Sequence, residues 1–169
     1  TGVRTNPIFT SLAAEYRDAL VRLGNRMAAI RVQDIQTRLE PDPQAEAPDV
    51  PRSGEGAAMP FTRIGWVAFA LEGVEQRLAV YWLNEYAGGI FIPFRDATSG
   101  AETYGGGRYL WDSAKGADLG SDGDELVLDF NYAYHPSCVY DERWSCPLAP
   151  QENWLTLPIA AGERLAPAP

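Results

Sequence analysis

Lysine is nearly missing from this chain of 169 residues: Lys115 is the only one, and arginine carries the rest of the positive charge. That imbalance reads as coding bias rather than as a functional signal. Histidine occurs once, at His135, and cysteine twice, at Cys138 and Cys146. Seven residues separate the cysteines, which excludes the short spacing of a zinc knuckle or a CxxC redox motif. No apolar run approaches the roughly 20 residues that span a bilayer, so a transmembrane helix is excluded. The first residues, TGVRTNPIF, lack the apolar core of a signal peptide, and the chain reads as cytoplasmic or already processed. A net charge of −9 leaves no broad positive field, which argues against nucleic-acid or anionic-membrane partners.

What is present is unevenly distributed. Residues 1–39 hold six arginines against three acidic residues, a net +3, and the remainder carries a net −12. A basic segment beside an acidic body suggests mutual attraction, within one chain or between copies. Asn6-Pro7 forms a plausible helix start, and Leu12, Tyr16, Leu20, Leu23, Met27 and Ile30 recur at spacings of three and four. Residues 1–39 are therefore predicted as an amphipathic N-terminal helix, packed on its own domain or offered to a homo-oligomer or partner protein. Residues 40–56, EPDPQAEAPDVPRSGEG, read as an acidic, proline-rich linker.

From Phe61 the periodicity changes to two. Ile64, Trp66, Phe69 and Leu71 predict a strand with a local slip, and Glu72-Gly73 a turn into a strand carrying Leu78, Val80 and Trp82. Ile90–Phe94 reads as a third strand interrupted by Pro93, and 105–110 as a short fourth. Glu125–Tyr132 places Leu126, Leu128 and Phe130 on one face, and Trp154–Ile159 makes a last strand. The expected fold is mainly β: a small antiparallel barrel or sandwich over residues 57–169.

Within that domain, residues 93–100 (PFRDATSG) and 102–109 (ETYGGGRY) form two distinctive blocks. Residues 128–138 (LDFNYAYHPSC) and 144–147 (WSCP) add two more. In order and spacing they resemble the bacterial and archaeal family known as domain of unknown function 1684, over roughly residues 61–165. The resemblance implies a β-rich fold and no established activity.

The same blocks hold nearly every chemically able side chain. Arg95 and Arg108 could clamp a carboxylate or phosphate, with backbone N–H groups of 105–107 assisting; the alternative is a loop locked by arginine–carboxylate bonds around Asp96. The glycine triplet is no P-loop, because neither GK[ST] nor a following helix pattern accompanies it. Asp129 and Asn131 share the non-core face of their strand, ready to orient polar atoms or simply to meet solvent. Tyr104, Tyr109 and Tyr134 supply apolar walls, or core anchors whose hydroxyls satisfy backbone groups. For Cys138 and Cys146 a disulfide, a pair of structural thiols and, with His135, a metal site all remain open, the disulfide being favoured. No metal or other cofactor is assigned.

The reading is a β domain that binds a small anionic molecule where the 93–109 and 131–147 loops meet. Its residues would be Arg95, Asp96, Tyr104, Arg108, Tyr109, Asp129, Asn131 and Tyr134. Two alternatives stand beside it: a hydrolase-like enzyme using Asp96 or Asp129 as acid/base, and an assembly protein working through its N-terminal helix.

Overall fold

The computed structural model describes residues 35–42, 49–54, 59–84, 88–122 and 125–166. Its strands are β1 (Ile35–Pro41), β2 (Asp49–Val50), β3 (Met59–Leu71), β4 (Val74–Leu83), β5 (Ile90–Phe94), β6 (Arg108–Asp112), β7 (Ser121–Asp122) and β8 (Glu125–Leu128). They run antiparallel in the order β6-β5-β4-β3-β1, extended beyond β1 by β8 and the short β7, with β2 on β3. β1 changes partner along its length: Leu39–Pro41 pair with β3, and Ile35–Arg38 with β8. One strand thus links the two parts of the sheet.

The long β3–β4 hairpin closes on Glu72-Gly73, both at positive φ, 51° and 78°. That two-residue geometry matches the twist of paired strands, and glycine adopts its half of it without steric cost. Two bulges then decide which side chain faces which way. Ile64 is the extra residue between Arg63 and Gly65 in β3, and Leu110 is the extra residue opposite Ile92-Pro93. Each bulge resets the alternation of its own strand, β3 or β6, while β4 and β5 alternate without a break between two covered faces.

On one face Val67, Phe69, Leu71, Leu78, Val80, Ile92, Phe94 and Trp111 pack with Leu126, Leu128 and Phe130 and with the C-terminal Leu155, Ile159 and Ala161. On the other, Val50, Phe61, Ala79, Tyr81, Leu83, Phe91 and Tyr109 form a smaller core. Edge-to-face rings tie each together, Phe94 on Phe130 in the first and Phe91 on Tyr109 in the second. Fully burying one such side chain contributes roughly 1.5–3 kcal/mol.

Several expectations need correction. The sheet is open: among the described residues no pairing joins β6 to β7 or β8, so the barrel does not close. Residues 35–39, assigned above to the end of a helix, begin β1; Ile35 and Leu39 keep helical spacing, but strand pairing on both sides overrides it. Residues 1–34 lie outside the described residues, and with them the rest of the predicted helix. The stretch read as a linker contains β2, the fully buried Val50, and Arg52 bridged to Pro147. The last predicted strand, 154–159, makes one bridge to Arg95 and is held further by the Ala97 N–H on the Leu157 carbonyl and by the Asp96 side chain on the Ile159 N–H. Among the described residues no helix is long and apolar enough to cross a membrane.

Candidate functional site

Adjacent residues on a strand point to opposite faces, and β6 applies that rule to Arg108 and Tyr109. Arg108, paired with Phe94, lies under the first core with its guanidinium 5.1 Å from the Phe94 ring centroid. Tyr109 belongs to the second core. The expected single hollow is therefore divided by the sheet itself.

On the first face Arg108 is fully buried, and four hydrogen bonds occupy its terminal nitrogens. Nη2 donates to Asp96 Oδ2 at 2.9 Å and to the Ile159 carbonyl at 2.7 Å; Nη1 donates to the carbonyls of Ala161 (2.6 Å) and Glu163 (3.1 Å). Burial works against the guanidinium's charge, and the Asp96 carboxylate beside it supports that charge. Asp96 Oδ1 in turn accepts from the Thr98 N–H, the Thr98 hydroxyl and the Ile159 N–H. This corrects two expectations. Arg108, expected as a ligand clamp, is committed to the protein's own carbonyls and to Asp96, and Asp96, expected as an acid/base group, is a sequestered acceptor. The pair staples the C-terminal segment to the sheet.

Arg95 stacks on Trp154 instead, its guanidinium 4.1 Å from the ring centroid, while its backbone pairs with Asn153 and Leu155. Gly107 has φ +102°, and a Cβ there would stand 2.5 Å from the Phe94 carbonyl oxygen, so the position serves a close crossing of two backbones. Asp129 caps a short 3-10 helix at 130–132, accepting from the N–H and side-chain amide of Asn131 at 2.9 and 2.7 Å. Those two residues build a turn around each other.

His135 is buried beside this staple. Its Nε2 accepts from the Tyr104 N–H at 3.2 Å, its backbone N–H donates to Glu163 Oε2 at 2.5 Å, and its Nδ1 lies 3.7 Å from the same carboxylate. Burial first, and the charge of Arg108 second, lower the imidazole pKa to about 4. Burial raises that of Glu163.

The second face holds the grouping best suited to chemistry. Tyr109 and Tyr134 pair as a backbone bridge and as perpendicular rings 5.5 Å apart. The Tyr109 hydroxyl donates to the Pro147 carbonyl at 2.7 Å, and the Tyr134 hydroxyl to Asp112 Oδ2 at 3.1 Å. Lys115 Nζ stands 3.3 Å from the same oxygen and 5.6 Å from the Tyr109 ring centroid. The Asp112 side chain is 3% exposed, yet its Oδ1 has no hydrogen-bond partner. Burial, then neighbouring thiols and Asp112, raise the Tyr109 pKa; burial and Asp112 do the same for Tyr134. Tyr104 and the free thiols of Cys138 and Cys146 border the group, the Cys138 N–H donating to Cys146 Sγ at 3.3 Å.

Of the residues expected to converge, the structure thus joins Arg108 with Asp96, Asp129 with Asn131, and Tyr109 with Tyr134 near Tyr104 and both thiols, in separate places. Asp112 and Lys115 were not anticipated. Their signal was a carboxylate ending a strand otherwise buried, three residues before the only lysine.

The comparisons agree with this architecture. A family model described as a protein of unknown function (DUF1684) matches residues 31–164. A solution NMR structure of an uncharacterised protein of Haloarcula marismortui is similar at 33% identity and TM-score 0.59, covering 78% of this chain and 70% of that one. No curated protein matches the chain.

Proposed function

The chain belongs to the DUF1684 family of proteins of unknown function, and from that membership and the geometry above we propose a small-molecule-binding β domain. Its ligand sits at the corner formed by Asp112, Lys115 and Tyr134. The observation that carries this reading is the unpartnered Oδ1 of the buried Asp112, in a fold where Asp96 uses both oxygens. An acceptor left unpaired in the interior costs about 1–3 kcal/mol, and a hydroxyl or amine donor from a ligand would satisfy it. Lys115, 40% exposed, lies where it would meet an anionic group on the same molecule. Tyr109 and Tyr134 flank the position with apolar ring surface.

A thermal-shift screen with small anionic metabolites tests the reading, since a ligand that binds only the folded state raises Tm. Compounds that stabilise the wild type should lose their shift in Lys115→Ala and in Asp112→Asn. If they stabilise both variants as well as the wild type, the site is not there.

One observation favours a second reading, that of an assembly protein. Arg108 is buried in an ion pair with Asp96 inside the chain, as an architectural motif requires. Light scattering of the full chain across a concentration series separates the two readings. A concentration-independent monomer that responds to ligand supports binding, and self-association without ligand response supports assembly.

A further inference from the structure

We infer that Cys138 and Cys146 form a reversible dithiol–disulfide pair that locks the seam between the 50–53 strap and the 145–148 segment. The two thiols already lie together. The Cys138 backbone N–H donates to Cys146 Sγ at 3.3 Å. That sulfur is thus close to the Cys138 backbone, from which the Cys138 Cβ and Sγ project. Closing the bridge brings the two Sγ atoms to about 2.0 Å of each other.

The surroundings give the bond a mechanical purpose. Cys146 is the hinge of the seam: its N–H donates to the Ser53 hydroxyl at 2.9 Å, and its carbonyl accepts from the Ser53 N–H at 2.9 Å. The Ser145 hydroxyl donates to the Ser53 carbonyl, Arg52 donates to the Ser145 carbonyl, and Leu148 N–H to that of Pro51. Cys138 sits in a 3-10 turn on the far side of the loop, which carries the exposed Tyr140 and Trp144. A covalent link between the two fixes both ends of that loop.

Exposure assigns the order of events. Cys138 is half-buried and Cys146 is buried, so an oxidised small-molecule disulfide, RSSR, meets Cys138 first. The Cys138 thiolate attacks one sulfur of RSSR, forming Cys138–S–S–R and releasing RS⁻. The Cys146 thiolate then attacks the Cys138 sulfur and expels the second RS⁻. Two protein thiols are oxidised and one RSSR is reduced to two RSH. Burial, which raises the Cys146 thiol, makes the second step the slower one at neutral pH; the charge of Lys115 works the other way.

The test treats the full folded chain with oxidised glutathione and follows intact mass and thiol count. The expected product has lost two hydrogens and both titratable thiols. Cys146→Ser should stop at a glutathione adduct on Cys138, and Cys138→Ser should form neither adduct nor bridge under the same conditions. In the oxidised wild type the amides of Ser53, Cys146 and Leu148 should exchange hydrogen more slowly, and Tm should rise by several degrees. Reduction should reverse both effects. The inference is overturned if both thiols survive in the native protein and react only in denaturant, or if the wild type halts at the mixed disulfide. A bridge that leaves seam exchange unchanged would overturn the locking role. None of these outcomes depends on a ligand, so this proposal and the binding reading succeed or fail separately.

Discussion

Arg108 and Asp96 meet at 2.9 Å with both side chains fully shielded from solvent. Two charges taken out of water are stable only while each has the other and while their remaining hydrogen-bonding positions are filled. Here three carbonyls and three protein donors supply that filling, and only Arg108 Nε is left over. The most eye-catching block of the sequence is thus an internal fastening.

Removing one partner strands the other. Arg108→Ala and Asp96→Ala should each cost about 3–5 kcal/mol in urea unfolding. The double variant should cost less than the sum, with a coupling of roughly 0.5–3 kcal/mol. Arg108→Lys cannot reproduce the fork toward Asp96 and three carbonyls, and should be destabilised as well. Additive losses would show that the pair is not a unit.

Asn153 fills a gap between strands. β4 and β5 pair only at Tyr81–Phe91 and Trp82–Ile90; beyond that, the Asn153 amide takes the Ala79 N–H at 2.7 Å and donates to the carbonyls of Ala79 and Pro93. Asn153→Ala should cost roughly 2–4 kcal/mol, because it leaves three buried backbone groups without partners. Hydrogen exchange of the Ala79 amide should accelerate more than that of Tyr81.

His135 makes stability depend on pH with a definite sign. Its folded pKa, about 4, lies below the ordinary value of 6.5, so the unfolded chain binds the proton more readily between those values. The contribution is complete above about pH 6.5 and is lost as pH falls toward 4, on the order of 3 kcal/mol in all. Glu163, raised by burial, acts oppositely above its ordinary 4.5 and shallows the slope. In His135→Asn the urea midpoint should vary less across this window; an unchanged profile would remove His135 as its source.

Two glycines offer an internal control. Gly54 and Gly107 both have positive φ, +74° and +102°, but a Cβ at Gly54 meets nothing within 4 Å. Gly54→Ala should cost about 1–2 kcal/mol from conformation alone. Gly107→Ala adds a collision with the Phe94 carbonyl oxygen and should cost ~3 kcal/mol or more, read from the shift in unfolding midpoint.

Much of the sheet was legible because alternation is a local signal. Ile90–Phe94 was located to the residue, with Pro93 at its irregularity, and the Glu72-Gly73 turn was visible from composition. The slip foreseen in β3 exists, although it falls at Ile64 rather than after Trp66, since only the partner strand reveals which residue is extra. β1 was hidden by its own periodicity: Ile35 and Leu39 fit a helical stripe, and its two partners lie more than 20 and 80 residues away. The division of the site residues between two faces was hidden for a related reason. Sequence proximity put Arg108 beside Tyr109, whereas the pleat of the strand sends them into different cores. Lys115 was passed over because rarity alone carries no geometry.

The C-terminal fastening also sets an order of events on the ribosome. β6 emerges some fifty residues before the carbonyls of Ile159, Ala161 and Glu163 that receive its guanidinium. Until those residues leave the exit tunnel, a nascent chain that collapsed around β6 would have to bury a cation with most of its acceptors still unmade. Completion of the first core is therefore postponed until residues 159–163 have been made, and that segment is its keystone.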